Sequence, residues 1–253
     1  MKLGLYQCDA AFSSAEARVA ALEAHIAGRG LDLVVCPELF ATGYDAGADY
    51  AALAEPPDGP FAQRMAALAR KHDVALAWGY PERGAGVVYN SAALIGRDGA
   101  LIANHRKRLA SPGSFEERAF ANGEKLTFAE VAGIRLAMII CYEVEFPESL
   151  RQAARGGAQL VLVPTALGGD WGFVAEKVVP TRAFENGIYV AYADNAGALG
   201  GLTFFGGSRI VAPDGSVTVA ETGQESFISA EIEPDRVIKA QARLPYLRDS
   251  LVL

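Results

Sequence analysis

The sequence predicts an α/β fold in one domain over residues 1–253, a mixed pair of sheets with helices outside them. Strand and helix signals alternate along the whole chain, with hairpins inserted in two places. With 51% hydrophobic residues in 253, the chain can bury a large core without staples. The third observation is the stretch Ile134-Arg-Leu-Ala-Met-Ile-Ile140, which reads as a strand buried on both faces and stops at Cys141. Pro147 and Glu148 are first-turn residues for a helix to about Arg155, with Gly156 and Gly157 as its stop. Cys141 therefore lies at the carboxyl end of a strand, where open α/β sheets place ligands and nucleophiles. A nearby helix amino terminus would favour its thiolate. The other reading of a cysteine in such a run is a small buried hydrophobe.

The elements follow in order. Residues 2–8 read as a strand and 14–28 as an amphipathic helix; 31–36 is a second buried strand, followed by the loop Pro37-Glu38-Leu39-Phe40 and Thr42-Gly43-Tyr44. Residues 60–72 read as a helix introduced by Asp58-Gly59. Strands follow at 74–80, 87–95 and 100–104, the last two joined at Arg97-Asp98-Gly99. The segment 109–125 is a long loop of mixed charge, a length that in a compact domain marks function. Residues 126–131 and 134–140 pair around Ala132-Gly133. After the cysteine and its helix come a strand at 159–163, a loop to Trp171 and a helical stretch to Asn186 that Pro180 kinks or divides. Strands at 188–194, 206–212, 216–220 and 226–231 and a helix at 234–240 complete the chain, and the last residues carry no periodic signal.

Composition narrows the function classes. A net charge of -7 without a basic stripe argues against nucleic acid, and no apolar run has the length of a membrane span. The chain opens as a strand without the apolar core of a signal peptide, and Cys8, Cys36 and Cys141 are odd in number, so a reducing, cytoplasmic setting is expected. The histidines and cysteines lack metal-ligand spacing and no glycine-rich phosphate loop follows the first strand, so no metal and no cofactor is expected.

A nucleophilic cysteine needs a base and an oxyanion donor. His25 and His72 fall on predicted outer helices. His105 shares a strand face with Lys107, and a Cys141/His105 dyad is the weaker pairing. Glu38 and Lys107 stand at or just beyond strand ends, where side chains from different strands converge. Taken alone, Glu38 could cap a turn and Lys107 could be a solvated charge.

Three segments, Cys36-Pro-Glu38-Leu-Phe-Ala-Thr-Gly-Tyr44, His105-Arg-Lys107-Arg-Leu109 and Ile140-Cys141-Tyr-Glu-Val-Glu-Phe-Pro-Glu148, resemble in order and separation the signature segments of the nitrilase superfamily of carbon-nitrogen hydrolases. Arg182-Ala-Phe-Glu-Asn186, Ile188-Tyr-Val-Ala-Tyr192 and Gly206-Gly-Ser-Arg-Ile-Val-Ala-Pro-Asp-Gly215 extend the resemblance over almost the whole chain. It implies a four-layer α-β-β-α sandwich, usually a homodimer or higher even-numbered oligomer, and a catalytic glutamate, lysine and cysteine that match Glu38, Lys107 and Cys141. The family's second glutamate precedes a Pro-Gly. Here Asn122 stands at the proline position, and counting back from Gly123 favours Glu116, with Glu117 the alternative. Glu143 stands where aspartate is commoner, which bears on pocket shape.

The resemblance further implies a thioester mechanism on a small-molecule amide. Glu38 would take the thiol proton, Lys107 and the Tyr142 N–H would hold the oxyanion, and Glu116 would orient substrate or water. Tyr44, Tyr142, Trp171 and Phe173 are candidate pocket residues, the last two equally readable as core. Arg182, Glu185 and Asn186 read as a buried network on a dimer-side helix. True nitrilases typically carry tryptophan after the nucleophile, so Tyr142 fits the amidase branches better and nitrilase is the lesser alternative. Carbamoyl hydrolase and ω-amidase activities stay open, and from another class a non-catalytic dimeric binding protein would keep the fold.

Overall fold

Lys2–Asp9 forms β1, six of whose residues are buried in succession because strands flank it on both sides and layers cover both faces. In the computed structural model, which describes residues 1–12 and 14–252, α1 follows at Ala15–Ile26, started by the Ser14 side chain, which accepts from the Ala17 N–H. Then come β2 (Leu33–Val35), α2 (Tyr50–Leu53), α3 (Pro60–His72), β3 (Ala75–Arg83), β4 (Val88–Ile95) and β5 (Leu101–Arg106). A short α4 (Glu116–Ala119) sits inside the long loop. Next are β6 (Thr127–Val131), β7 (Ile134–Met138), a 3₁₀ turn at Cys141–Glu145, α5 (Pro147–Arg155) and β8 (Leu160–Pro164). The chain closes with α6 (Val179–Asn186), β9 (Tyr189–Ala193), β10 (Asn195–Leu199), β11 (Leu202–Phe205), β12 (Arg209–Val211), β13 (Val217–Val219), β14 (Ser226–Glu231), α7 (Pro234–Arg243) and α8 (Tyr246–Asp249).

Two sheets result. The first runs β11-β10-β1-β2-β3-β4-β5, with β14 pairing the amino-terminal part of β1 and β10 pairing its end. The second runs β13-β12-β9-β8-β7-β6. Side-chain alternation sorts the layers. Leu3, Leu5, Leu33, Val35, Ala75 and Ala77 pack against Leu136, Met138, Leu160 and Leu162 between the sheets. Tyr6, Val34, Leu76 and Trp78 point the other way, onto Leu22 and Ile26 of α1 and Phe61 and Met65 of α3. Leu150 and Ala153 of α5 and Val179 and Ala183 of α6 cover the second sheet. The architecture is the expected four-layer α-β-β-α sandwich.

Several details differ from the sequence expectation. Residues 195–205 form a hairpin, β10–β11, that was not anticipated. Its Asn-Ala-Gly-Ala-Leu composition is a poor strand signal, and pairing to the end of β1 supplies what local preference lacks. The expected strand at 206–212 is correspondingly only Arg209–Val211. The helix after the cysteine runs from Pro147 to Arg155 as expected, but a separate 3₁₀ turn at Cys141–Glu145 precedes it. Pro180 lies in the first turn of α6, where proline is tolerated, directly after a π-helical segment at Val174–Val178, so it marks the division of the stretch.

Candidate active site

Glu38, Lys107, Glu116 and Cys141 come from four separate segments and meet at one end of the sheets. β2 stops at Val35, and the chain turns through Leu39 in the left-handed region (φ 50°). That turn presses on Gly79 of β3, where a Cβ would fall 2.3 Å from the Leu39 nitrogen and 2.6 Å from the Glu38 Cα. Only glycine lets β3 and the Glu38 turn approach this closely. Glu38 itself is fully buried. Its Oε1 accepts from Asn90 Nδ2 at 2.6 Å and Lys107 Nζ at 2.8 Å, while Oε2 is buried without a partner among the described residues.

Strand alternation sets Lys107. In β5 and just beyond it, His105 and Lys107 are buried and Arg106 between them is exposed, so the basic run splits across two faces. The Lys107 backbone is clamped by Asn90 O and by the Gly123 N–H. Its ammonium sits between two carboxylates, 2.8 Å from Glu38 Oε1 and 2.7 Å from Glu116 Oε2. Burial pulls the ammonium down, but Glu38 and Glu116 more than reverse this and hold Lys107 protonated.

Glu116 and Glu117 begin α4 and part company there. Glu116 is buried and accepts from Lys107 and from the Tyr44 hydroxyl at 2.5 Å; Glu117 is exposed and accepts from the Gly113 N–H. Tyr44 is held edge-on against Phe115, 4.7 Å between centroids.

Cys141 follows the last ladder bond of its strand, Ile139 N–H to Leu162 O, and adopts φ 47°. A left-handed non-glycine costs on the order of 1–3 kcal/mol. Glu143 supports it. Its fully buried carboxylate accepts from the Ile140 N–H at 2.8 Å and from Arg108 Nε at 2.5 Å, and lies 2.9 Å from His105 Nε2. Glu143 thus points away from the cavity and anchors the elbow, and His105 serves it rather than the cysteine. Arg182 braces the same turn, donating to the carbonyls of Val144 and Glu145, and its pair with Glu185 and the Asn186 bond to its own carbonyl are half-buried.

The Cys141 thiol is pushed well up by burial, with Glu38 and Glu116 adding to the rise and Lys107 and the Ala166 N–H opposing it. The expected lowering by a helix terminus is therefore outweighed: the resting sulfur is a thiol. Burial also pushes the Glu38 carboxyl up to about 7, against the pull of Lys107. A base with that value beside a neutral thiol is suited to proton transfer near neutral pH.

A cavity of about 440 Å³ opens onto Cys141. Tyr44, Tyr142, Phe115 and Phe204 border it, and the long loop contributes Ser111 to Ser114. Trp171 stands at its rim, 65% exposed, whereas Phe173 is 70% exposed and borders none of it, so neither is core. The sequence reading missed Asn90, Asn195 and Asp194. Asn195 Nδ2 donates to the carbonyls of Glu38 and Thr165, and Asp194 Oδ1 accepts from the Leu167 N–H, fixing the loop that carries Ala166. An amide or carboxylate inside an otherwise apolar strand was the available signal. Among the described residues no three His, Cys, Asp or Glu side chains are grouped to hold a metal, and no helix is long and apolar enough to cross a membrane.

The family model described as carbon-nitrogen hydrolase matches residues 2–242. A protein described as the hydrolase in the pqqF 5′ region of Pseudomonas protegens is 39% identical over 98% of this chain and 88% of its own length. An (R)-stereoselective amidase from a Pseudomonas species is 33% identical over 86% of this chain and 79% of its own. The solved amidase from a Nesterenkonia species superposes with a TM-score of 0.85 at 34% identity, covering 97% of this chain and 95% of that one. Mutants of that amidase have been solved in complex with butyramide and with the acetamide moiety of fluoroacetamide added at the active-site cysteine.

Proposed function

Because the chain belongs to the carbon-nitrogen hydrolase family of the nitrilase superfamily, we propose that residues 1–253 act as one domain that hydrolyses a small carboxamide to carboxylic acid and ammonia through an acyl-thioester on Cys141. The observation that carries this reading is the buried Glu38–Lys107–Glu116 chain behind a cavity that opens onto the cysteine.

The unpartnered Glu38 Oε2 takes the thiol proton as sulfur adds to the amide carbon. Two carboxylates occupy two directions of the Lys107 ammonium, and the third N–H is available to the oxyanion. Tyr142 is the second residue of a 3₁₀ turn, so its N–H has no partner within the turn and is the second donor. Collapse of the tetrahedral adduct expels the amine with the proton held by Glu38, releasing ammonia. Water then loses a proton to Glu38 and attacks the thioester, and that proton returns to the departing sulfur. Glu116 keeps Lys107 charged and positioned, and Tyr44 orients Glu116. The reaction needs no cofactor.

Exposed Phe184 of α6 and Tyr246 of α8, 6.4 Å apart between centroids, support a homodimer through that face, and three free cysteines fit a reducing cytoplasm. The test of the activity is ammonia release from a panel of small amides, ω-amides, carbamoyl compounds and nitriles, for the native chain and Cys141→Ala. Equal release of acid and ammonia from simple amides, lost in the variant, is expected. Turnover of nitriles alone, or of nothing, overturns the proposal.

A further inference from the structure

The cavity over Cys141 contains one charged group that the mechanism does not use. Glu145 closes the 3₁₀ turn that Cys141 opens, and both border the cavity. The other lining side chains are aromatic, aliphatic or hydroxylic; among the described residues none of them is Lys, Arg or His. The Glu145 carboxylate is half-buried and has no hydrogen-bond or ion-pair partner among the described residues.

A half-buried carboxylate without a partner gives up hydration and receives no hydrogen-bond donor in return. The nearby cations do not neutralise it by contact. Lys107 is engaged by Glu38 and Glu116, and Arg182 donates to the Val144 and Glu145 carbonyls and to Glu185. Burial accordingly lifts the Glu145 carboxyl, although Lys107 and Arg182 pull against it. What Glu145 lacks is a donor, and the cavity is where one can enter.

We propose that Glu145 is the specificity-determining residue of a cation subsite, selecting carboxamides whose acyl part carries a protonated amine and rejecting those whose acyl part carries a carboxylate. This deepens the amide-hydrolase reading and rests on it. An incoming ammonium gains a charge-assisted partner in a poorly hydrated wall, whereas a carboxylate meets a like charge with no basic side chain lining the cavity to offset it. The ω-amides and N-carbamoyl amino acids, which carry free carboxylates, are therefore the disfavoured classes.

Three amides of similar length carry the test: β-alaninamide (ammonium), butyramide (neutral) and succinamate (carboxylate). In the native chain near neutral pH, kcat/KM is expected to fall from β-alaninamide through butyramide to succinamate. One charge contact at a partly solvated site is worth up to about fivefold on each side of the neutral substrate, so the two charged amides should differ by about tenfold or more. In Glu145→Gln and Glu145→Ala the ratio of β-alaninamide to succinamate collapses by at least about tenfold. A native enzyme that prefers succinamate, or ratios that do not move in either variant, overturns the subsite while butyramide turnover leaves the hydrolase reading standing. No turnover of any of the three, with no acyl adduct on the protein, overturns both.

Discussion

Replacing Glu38 by glutamine separates the chemical role of this residue from its structural one. The carbonyl of the new amide can keep both bonds that Oε1 accepts now, from Asn90 at 2.6 Å and Lys107 at 2.8 Å. At the Oε2 position, where the carboxylate has a free lone pair, the variant carries an NH₂ that cannot accept a proton. A general base contributes about 10²–10⁴ in rate, so kcat/KM on an amide should fall by that factor, about 3–5 kcal/mol in the barrier. Stability should move the other way. The folded chain raises Glu38 from 4.5 to about 7. Between those values the folded protein holds a proton that the unfolded chain has released, so native stability falls as pH rises through the window and the loss is complete above 7. The difference corresponds to no more than about 3 kcal/mol, and glutamine does not titrate. Urea melts should therefore show the variant matching the native chain near pH 5 and exceeding it by up to about 3 kcal/mol near pH 8. The native kcat/KM should also rise with pH through about 7, as the base form of Glu38 appears. A variant that keeps more than about a tenth of the activity, or that melts like the native chain at both pH values, would refute this assignment.

Three further outcomes are expected. In Gly79→Ala the new Cβ, 2.3 Å from the Leu39 nitrogen, displaces the Glu38 turn, and a shift of about 1 Å should cost roughly a hundredfold in ammonia release while circular dichroism still shows a folded chain. Glu143→Ala leaves Arg108 and the Ile140 N–H without their buried acceptor and should destabilise by about 3–5 kcal/mol, lowering Tm by roughly 10 °C in calorimetry. Because burial pushes the Cys141 thiol up, iodoacetamide should alkylate it at a rate still climbing at about pH 9. Intact mass should show a single adduct, since Cys8 and Cys36 are buried in strand or strand-end positions away from the cavity; a rate plateau near neutral pH would contradict the raised thiol.

What the sequence disclosed follows physical lines. Ile134–Met138 and Leu160–Pro164 were readable because parallel strands covered on both faces need continuous apolar runs. The glycines after α5 and the proline in its first turn marked that helix for local reasons of backbone geometry. The hairpin β10–β11 was not readable, because Gly197, Gly200 and Gly201 weaken its strand signal and its order comes from pairing with the distant Cys8 and Asp9. The same holds at the site. Glu38, Lys107 and Cys141 stood at strand ends and could be singled out by position and resemblance. Their neighbours could not. Asn90 bonds Glu38 across 52 positions of sequence, and Asn195 reaches it across 157, contacts that no local pattern encodes. Glu143 was read for its effect on the pocket, yet it folds back under the elbow, because the Ile140 N–H and Arg108 offer it donors there. The choice between Glu116 and Glu117 was likewise a matter of tertiary contact: one helical position faces Lys107 and the next faces solvent.

The most direct measurement is rapid-quench intact mass spectrometry of the protein during turnover of butyramide, with the modified residue located by peptide mapping. The expected result is an acyl adduct on Cys141 that forms as the first ammonia is released, decays as acid appears, and is absent in Cys141→Ala. Ammonia release with no adduct at any time, or an adduct at another residue, would contradict the thioester mechanism.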